Sequence, residues 1–253
     1  MILETLKENF KYIVVVDTEF KGQQDEGLLN DPICVVFDEI VNDKQHIFTG
    51  KKWKLPYPSK DTIYICHNAI AEAHTFLAAG NKLPEFWWDT FIEDKKLYFG
   101  KVDKHSLLAA CGRYGIQTIS EDLKKYFINK IILANETYTD EQLQTIVNYC
   151  KSDVKANKEL FLKQIEDIEK TRNLDGPQMV ISQALFSGAA VAYTAQVEFN
   201  GIHVNNDLLN KIDDAFPYIK RKMIDELNAE LDVYENDVLK QHKFDEFVER
   251  IGL

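Results

Sequence analysis

Two acidic residues, Asp17 and Glu19, stand at the end of a short apolar stretch and have the spacing of a metal-binding pair. The stretch from Ile13 to Val16 is aliphatic and rich in valine, which is typical of a buried strand. Side chains alternate between the two faces of a strand, so both carboxylates point to the same side. Because burying two like charges is costly without a cation, the pattern predicts a site for hard divalent ions, Mg²⁺ or Mn²⁺.

Two later segments offer further groups for such a site. Between residues 66 and 72 a predicted strand runs into a helix and presents Asn68 and Glu72. The carboxyl ends of neighbouring strands lie near a common crevice, so we expect Glu72 to face the first acid pair. In a later predicted helix, Tyr149 and Asp153 are four residues apart and therefore lie on one face. Four carboxylates and a phenol are expected to converge.

The composition is that of a globular protein. The chain has 253 residues, 45% of them hydrophobic and 28% charged, which allows one large domain or one domain with part of another. No apolar run approaches the roughly 20 residues that cross a bilayer, and residues 1–7 lack the features of a signal peptide. We therefore expect a cytoplasmic protein, of a bacterium or of a phage in its host, with no membrane partner.

The spacing of cysteine and histidine and the net charge argue against several other classes of protein. The four cysteines form no CxxC pair and the six histidines form no helix-spaced pair, so reduced cysteines are expected and zinc is not. The net charge of −11 argues against a protein that binds a long stretch of duplex, because that affinity comes from Lys and Arg. A nuclease remains compatible, since metal ions held by carboxylates reverse the local charge.

The order of the predicted elements indicates an α/β fold. Strands are expected at residues 13–16, 32–37, 45–48, 62–66 and 86–89, with the second and third forming an antiparallel hairpin beside the first and a polar loop at 22–31. Helices are expected at 69–79, 90–98, 104–114, 120–127 and 139–170. These elements define an α/β domain over residues 1–172. A smaller helical region, with helices at 178–198, 206–231 and 243–251, is expected over residues 173–253.

The motifs, in this order, resemble the three exonuclease motifs of the DnaQ-like (DEDD) superfamily, in its tyrosine-containing branch. The resemblance covers about residues 10 to 165, and phrases at 16–20, 67–69, 88–90 and 106–116 are similar to those of family A DNA polymerases and ribonuclease D. The family's second motif normally supplies aspartate, whereas this chain has Glu72. That acid reaches its metal largely through water in the family, so tolerance is expected, with reduced or manganese-biased activity as the alternative.

The resemblance implies a ribonuclease H-like mixed sheet flanked by helices and a 3′-to-5′ exonuclease that uses two divalent cations. It implies that the metal-binding and catalytic acids are Asp17, Glu19, Glu72 and Asp153. Tyr149 would orient the attacking water rather than deprotonate it, because a free phenol has a pKa near 10. The residues implied to bind the terminal nucleotide are Thr18, Phe20 and Asn68.

The segment at 193–205 is similar to the phrase that follows the exonuclease domain in family A DNA polymerases. No palm or fingers motif follows before residue 253, so DNA synthesis is not expected. The resemblance thus implies the proofreading part of such a polymerase. Its expected substrate is DNA with a single-stranded or frayed 3′ end, and the missing polymerase region is a further expected partner.

Two alternatives remain open from the sequence. A ribonuclease D-like exoribonuclease shares the motifs but is less compatible with the polymerase-like phrase at 198–204. A catalytically silent exonuclease fold, retained as a binding or structural module, would lack metal-dependent hydrolysis. The complete set of acids argues against this second alternative, with Glu72 as its weakest member.

Overall fold

The computed structural model describes residues 1–22, 30–134, 137–171 and 176–252. The chain forms two compact units, Met1–Gly201 and Ile202–Leu253. Most of the predicted loop at 22–31 and the predicted domain boundary after residue 172 lie outside the described residues, and both stay predictions.

A five-stranded mixed sheet forms the centre of the first unit. Its strands are β1 (Tyr12–Lys21), β2 (Asp31–Glu39), β3 (Lys44–Thr49), β4 (Thr62–Cys66) and β5 (Phe86–Asp89). Their order across the sheet is β3-β2-β1-β4-β5. β1 pairs antiparallel with β2 and parallel with β4, β3 is antiparallel to β2, and β5 is parallel to β4. The predicted hairpin beside the first strand is confirmed.

Seven helices of the first unit lie within the described ranges. They are α1 (Ile2–Asn9), α2 (Ala69–Ala78), α3 (Thr90–Tyr98), α4 (Leu107–Arg113), α5 (Glu121–Phe127), α6 (Asp140–Thr171) and α7 (Pro177–Asn200). A 3₁₀ turn at Ser59–Asp61 precedes β4, and a π-helical turn at Ile128–Ile132 follows α5. The sequence did not predict α1. The helix predicted at 104–114 begins only at Leu107, because the Ser106 side chain caps it by accepting a hydrogen bond from the Ala109 amide at 3.4 Å.

The alternation of side chains along β1 separates two cores. Val15 belongs to the buried cluster that includes the apolar face of α6, whereas Val16 belongs to the cluster that includes α2. Continuing the same alternation places Asp17 on the α6 side of the sheet and Thr18 on the α2 side. The core packing therefore determines which helix faces the predicted acids.

Helix α7 passes over the edge strand β5. Its early residues Val180 and Ala184 pack into the cluster on the α6 side, and its later residue Ala192 packs into the cluster on the α2 side. At the crossing, a Cβ on Gly188 would overlap the backbone carbonyl of Trp87, so only glycine permits this approach. Within the described ranges, α7 alone is long and apolar enough to cross a membrane, with a mean hydropathy of 1.2, but core helices also meet that criterion.

The second unit contains α8 (Asn206–Leu231), the two-residue strands β6 (Tyr234–Glu235) and β7 (Val238–Leu239), and α9 (Gln241–Ile251). Asn228 holds the turn after α8, because its side-chain oxygen accepts hydrogen bonds from the amides of Val233 and Tyr234 at 3.0 and 2.8 Å. The helices predicted at 206–231 and 243–251 are confirmed, whereas the short hairpin between them was not predicted.

Candidate active site

The acid pair on β1 lies on the side of the sheet that α6 covers. The Oδ2 atom of Asp17 is enclosed by protein and has no hydrogen-bond partner among the residues that the structure describes. Burial and then the charge of Asp153 raise the pKa of Asp17 from 3.8 to about 8. Burial and then the charge of Asp17 raise the pKa of Glu19 well above its usual range. Burial and mutual repulsion therefore outweigh the positive charge that lies near these two carboxylates.

Helix α6 brings Asp153 to this pair. Ile146, Cys150 and Val154 recur at helical spacing and are buried against the sheet, which fixes the rotation of the helix. The Cys150 thiol donates a hydrogen bond to the backbone carbonyl of Asp17 at 3.2 Å. The carboxylates of Asp17 and Glu19 and the Cys150 sulfur offer ligand atoms that lie within 4.8 Å of one another.

Tyr149 stands one turn before Asp153 on the same helix face. Its ring packs against Phe127, with 4.4 Å between the ring centroids, and only 8% of the residue is exposed. Burial and then the nearby Asp153 charge raise the pKa of the Tyr149 phenol above its ordinary value. The phenol therefore stays protonated at neutral pH and can donate a hydrogen bond but cannot act as a base.

Glu72 enters the site from the first turn of α2. Only 3% of the residue is exposed, and within the described ranges its Oε2 atom has no hydrogen-bond partner. Burial and then the charge of Asp17 raise the pKa of Glu72 well above its usual range. The structure thus brings together the four predicted acids, Asp17, Glu19, Glu72 and Asp153, which we call the acid cluster.

Asp89, at the end of β5, holds the turn that presents Glu72. Its carboxylate accepts hydrogen bonds from the backbone amides of Asn68, Ala69 and Phe91, each at 2.9 Å. Asn68 itself has the left-handed φ of 79°, which turns the chain sharply from β4 into α2. Sequence reasoning assigned Asp89 no function, although the family-like phrase at 88–90 contains it.

The side chains predicted to bind a terminal nucleotide have different surroundings. Thr18 is 5% exposed, and its hydroxyl lies 3.4 Å from the Thr75 hydroxyl on the α2 side of the sheet. Phe20 and Asn68 are partly exposed at the end of the sheet that carries the acid cluster. The pairing register of β1 with β2 shifts between Glu19 and Phe20, which redirects the strand end. A nucleotide-binding role for these residues stays a prediction.

Lys124 on α5 is a functional candidate that sequence reasoning missed. Its Nζ atom lies 3.8 Å from Oδ2 of Asp153 and 5.9 Å from the centroid of the Tyr149 ring. The sequence gives no signal for this position, because Lys124 and Lys125 form an ordinary pair on a polar helix. Only the packing of α5 distinguishes them.

A groove with a volume of about 560 Å³ runs along the neighbouring face of α6. Its polar lining consists of Gln117 and Thr118 from the segment between α4 and α5, and Ser152, Lys155 and Glu159 from α6. Ser152 directly precedes Asp153, so the groove begins beside the acid cluster.

The acid cluster fits hard divalent cations. Asp17 and Glu72 each have an enclosed oxygen to which no described residue gives a partner, and burial raises the pKa of all four carboxyl groups. Carboxylate oxygens are the ligands that Mg²⁺ and Mn²⁺ prefer. A bound cation would therefore satisfy the unpartnered atoms and stabilise the ionised forms.

No protein-family model matches the sequence, and no curated protein matches it significantly. Among solved structures, Brucella melitensis NrnC bound to pGG is 20% identical, with a TM-score of 0.51, over 77% of this chain and 88% of that one. The same protein with bound Mg²⁺ is 20% identical, with a TM-score of 0.52, over 77% and 89%. Escherichia coli RNase D, an exoribonuclease involved in structured RNA processing, is 13% identical, with a TM-score of 0.51, over 85% and 52%.

These solved structures are similar to this chain in fold. They confirm the predicted α/β class, in which a ribonuclease H-like mixed sheet is flanked by helices and followed by a smaller helical region. The first unit thus has a fold similar to those of B. melitensis NrnC and E. coli RNase D.

Proposed function

We propose that this chain is a metal-dependent 3′-to-5′ exonuclease that hydrolyses phosphodiesters from the 3′ end of a nucleic acid. The observation that carries the proposal is the acid cluster, in which Asp17 and Glu72 have enclosed oxygens that find no partner in the described part of the chain. A globular protein that used these acids only for structure would be expected to pair them with donors or cations. A neighbour of the same fold with bound Mg²⁺ supports the same interpretation.

Each acid has a role in holding divalent ions. Asp17, Glu19 and Asp153 would hold one ion, while Asp17 and Glu72, the latter through water, would hold a second. Divalent ions bound there would lower the pKa of the attacking water and stabilise the leaving oxygen. Tyr149, protonated at neutral pH because burial raises its pKa, would donate a hydrogen bond that orients the attacking water.

The terminal nucleotide would bind at the end of β1 and the start of α2. Phe20 offers a partly exposed ring for stacking on a base, and Asn68 offers an amide side chain at the turn into α2. Thr18 faces Thr75 and would act by holding α2 beside β1. The groove along α6, with Lys155 in its lining, would accept the preceding nucleotides.

For the substrate we propose DNA with an unpaired 3′ end, with the chain acting as the proofreading part of a family A DNA polymerase in the cytoplasm. The phrase at 193–205 and the motif order support this proposal. Likeness to E. coli RNase D favours RNA as the second candidate substrate. A single-stranded 3′ end is common to both candidates, so the site itself serves either.

The test is degradation of 5′-labelled DNA, single-stranded or with a recessed 3′ end, and of RNA of the same sequence, with Mg²⁺, Mn²⁺ or EDTA. We expect a ladder that shortens from the 3′ end, requires metal, and disappears in Asp17→Asn. Faster degradation of DNA than of RNA supports proofreading, and the reverse supports the ribonuclease candidate. No hydrolysis of any substrate by the folded protein would overturn the proposal in favour of a silent binding module.

A further inference from the structure

Lys124 places a positive charge beside the acid cluster. Its Nζ atom is 3.8 Å from Oδ2 of Asp153, which is an ion-pair distance but longer than a direct hydrogen bond. Burial raises the pKa of Asp17, Glu19 and Asp153, and the Lys124 charge acts in the opposite direction on all three. Lys124 therefore influences three of the four acids of the cluster.

The side chain is free enough to exchange partners. In Lys124, 38% of the side chain is exposed, whereas 11% of the Asp153 side chain is exposed. A lysine has a flexible four-carbon stem and a compact charge, and it does not lock into the two-point geometry that arginine forms with a carboxylate. The ion pair with Asp153 can thus be given up without disturbing the core.

Charge balance shows when the exchange would occur. Without metal, Lys124 brings a single positive charge to within 3.8 Å of Asp153, and one charge cannot neutralise the four carboxylates of the cluster. With two divalent cations the four carboxylates are neutralised, and the Lys124 charge becomes surplus. The surplus equals the single negative charge of a phosphodiester.

We propose that Lys124 is an exchangeable counter-ion of the acid cluster, which pairs with Asp153 in the metal-free protein and turns to the scissile phosphate once divalent cations bind. The second half of this proposal, in which Lys124 turns to the phosphate, rests on the proposed nuclease function. The first half concerns metal affinity and is independent of hydrolysis.

In Lys124→Met, Mn²⁺ affinity and kcat are expected to change in opposite directions. Because the lysine competes with the cation for Asp153, its removal is expected to tighten Mn²⁺ binding, by about 3- to 30-fold for a partly screened charge pair. Because the same lysine neutralises the phosphate during hydrolysis, kcat at saturating Mn²⁺ is expected to fall by about 10- to 100-fold. A variant that merely damaged the fold would weaken both properties.

The first measurement is isothermal titration of Mn²⁺ into the whole chain without nucleic acid, for wild type, Lys124→Met, Lys124→Arg and Lys125→Met. Lys125→Met is the matched control, because this residue is the adjacent lysine and lies on the exposed side of α5. Lys124→Arg keeps the charge and is expected to stay within about threefold of wild type in Mn²⁺ affinity. The second measurement is kcat and KM on a single-stranded oligonucleotide at saturating Mn²⁺.

The outcomes separate this inference from the proposed function. Tighter Mn²⁺ binding by Lys124→Met, with wild-type binding by Lys125→Met, supports the counter-ion role even where wild type hydrolyses nothing. Unchanged or weaker Mn²⁺ binding by Lys124→Met overturns it, even where wild type is an active exonuclease. Tighter binding with unchanged kcat overturns the transfer of Lys124 to the phosphate.

Discussion

The thiol of Cys150 donates a hydrogen bond to the backbone carbonyl of Asp17 across 3.2 Å. This bond joins α6 to β1 beside the two acids that carry the chemistry, and both partners are uncharged. It therefore holds the Asp153 helix against the Asp17 strand without adding charge to the acid cluster. Cys34, which is paired with Glu19 on the adjacent strand, completes this buried layer.

We expect Cys150→Ala to lower the stability of the protein and its affinity for metal together. Removal of a fully buried sulfur and its hydrogen bond should cost about 1 to 3 kcal/mol of unfolding free energy. The loosened contact between α6 and β1 should weaken Mn²⁺ binding several-fold. Cys111→Ala is the control. Cys111 is equally buried, but its thiol donates to the backbone carbonyl of Ala156 on α6, at 3.9 Å, and not to β1. Equal losses of Mn²⁺ affinity in both variants would contradict the specific role of Cys150.

Asp17 should make the metal-free protein less stable as the pH rises. Its pKa is 3.8 in an unfolded chain and about 8 in the folded, metal-free protein, so the folded state retains a proton that the unfolded state loses. Stability from this group is fully present below pH 3.8 and is lost as the pH rises towards about 8. Asp17→Asn removes the titration, so its melting temperature in EDTA should exceed that of wild type at pH 8 and fall less steeply with pH.

The measurement is thermal melting in EDTA between about pH 5 and pH 8, a range that spans most of the interval between the two pKa values. A gain of 1 kcal/mol at pH 8 would raise the melting temperature by about 2 to 4 °C in a chain of this size. Saturating Mg²⁺ is expected to reverse the order, because only wild type retains the full ligand set. Parallel pH profiles for wild type and Asp17→Asn in EDTA would show that the Asp17 carboxyl does not titrate abnormally.

Glu72→Gln should separate the metal-binding role of this acid from its place in the fold. The substitution keeps the shape but removes a buried charge that faces Asp17, so metal-free stability at pH 8 should rise. Hydrolysis should fall by at least about tenfold, since one carboxylate of the metal site is lost. Glu93→Gln is the control, because Glu93 is equally buried but pairs with Lys96 at 2.6 Å.

One result would contradict this prediction, and another would extend it. Wild-type hydrolysis in Glu72→Gln would show that three acids suffice. Faster hydrolysis by Glu72→Asp than by wild type, by contrast, would support a metal-binding role for this position. It would also show that the longer glutamate side chain limits the rate.

Local patterns predicted those features that one element determines. Asp17 and Glu19 were placed on one face by strand alternation alone, and the four-residue spacing put Tyr149 and Asp153 on one face of α6. The approach of Glu72 to the acid pair on β1 was expected from the position of neighbouring strand ends, but contacts made by residues outside the motifs were not predictable. The approach of Lys124 to Asp153 depends on how α5 packs, and the burial of Thr18 against Thr75 depends on the position of α2.

Helix α7 shows the same limit at the scale of the fold. Its helical pattern was evident, but the pattern does not identify the surface that the helix covers. The contact of Gly188 with Trp87, far apart in the sequence, places α7 against the edge strand of the sheet. The predicted helical region from residue 173 therefore contributes its first helix to the compact unit that ends at Gly201.

Tyr149→Phe should reduce hydrolysis without changing the fold or the metal affinity. The ring that packs on Phe127 is kept, and only the hydroxyl is lost. Because a poorly oriented water reacts more slowly, kcat should fall by about 10- to 100-fold at saturating Mn²⁺. Tyr138→Phe is the matched control, since the Tyr138 hydroxyl donates a hydrogen bond to the Ile132 carbonyl at 2.9 Å and belongs to no part of the acid cluster.

The pH dependence of the same variant distinguishes an orienting phenol from a base. Burial raises the pKa of Tyr149 above its ordinary value, so the hydroxyl stays protonated throughout the range from about pH 6 to pH 9. The kcat profiles of wild type and Tyr149→Phe should then have the same shape and differ only in height. A rise of wild-type kcat with pH that Tyr149→Phe abolishes would instead identify the phenolate as the group that takes the proton from water.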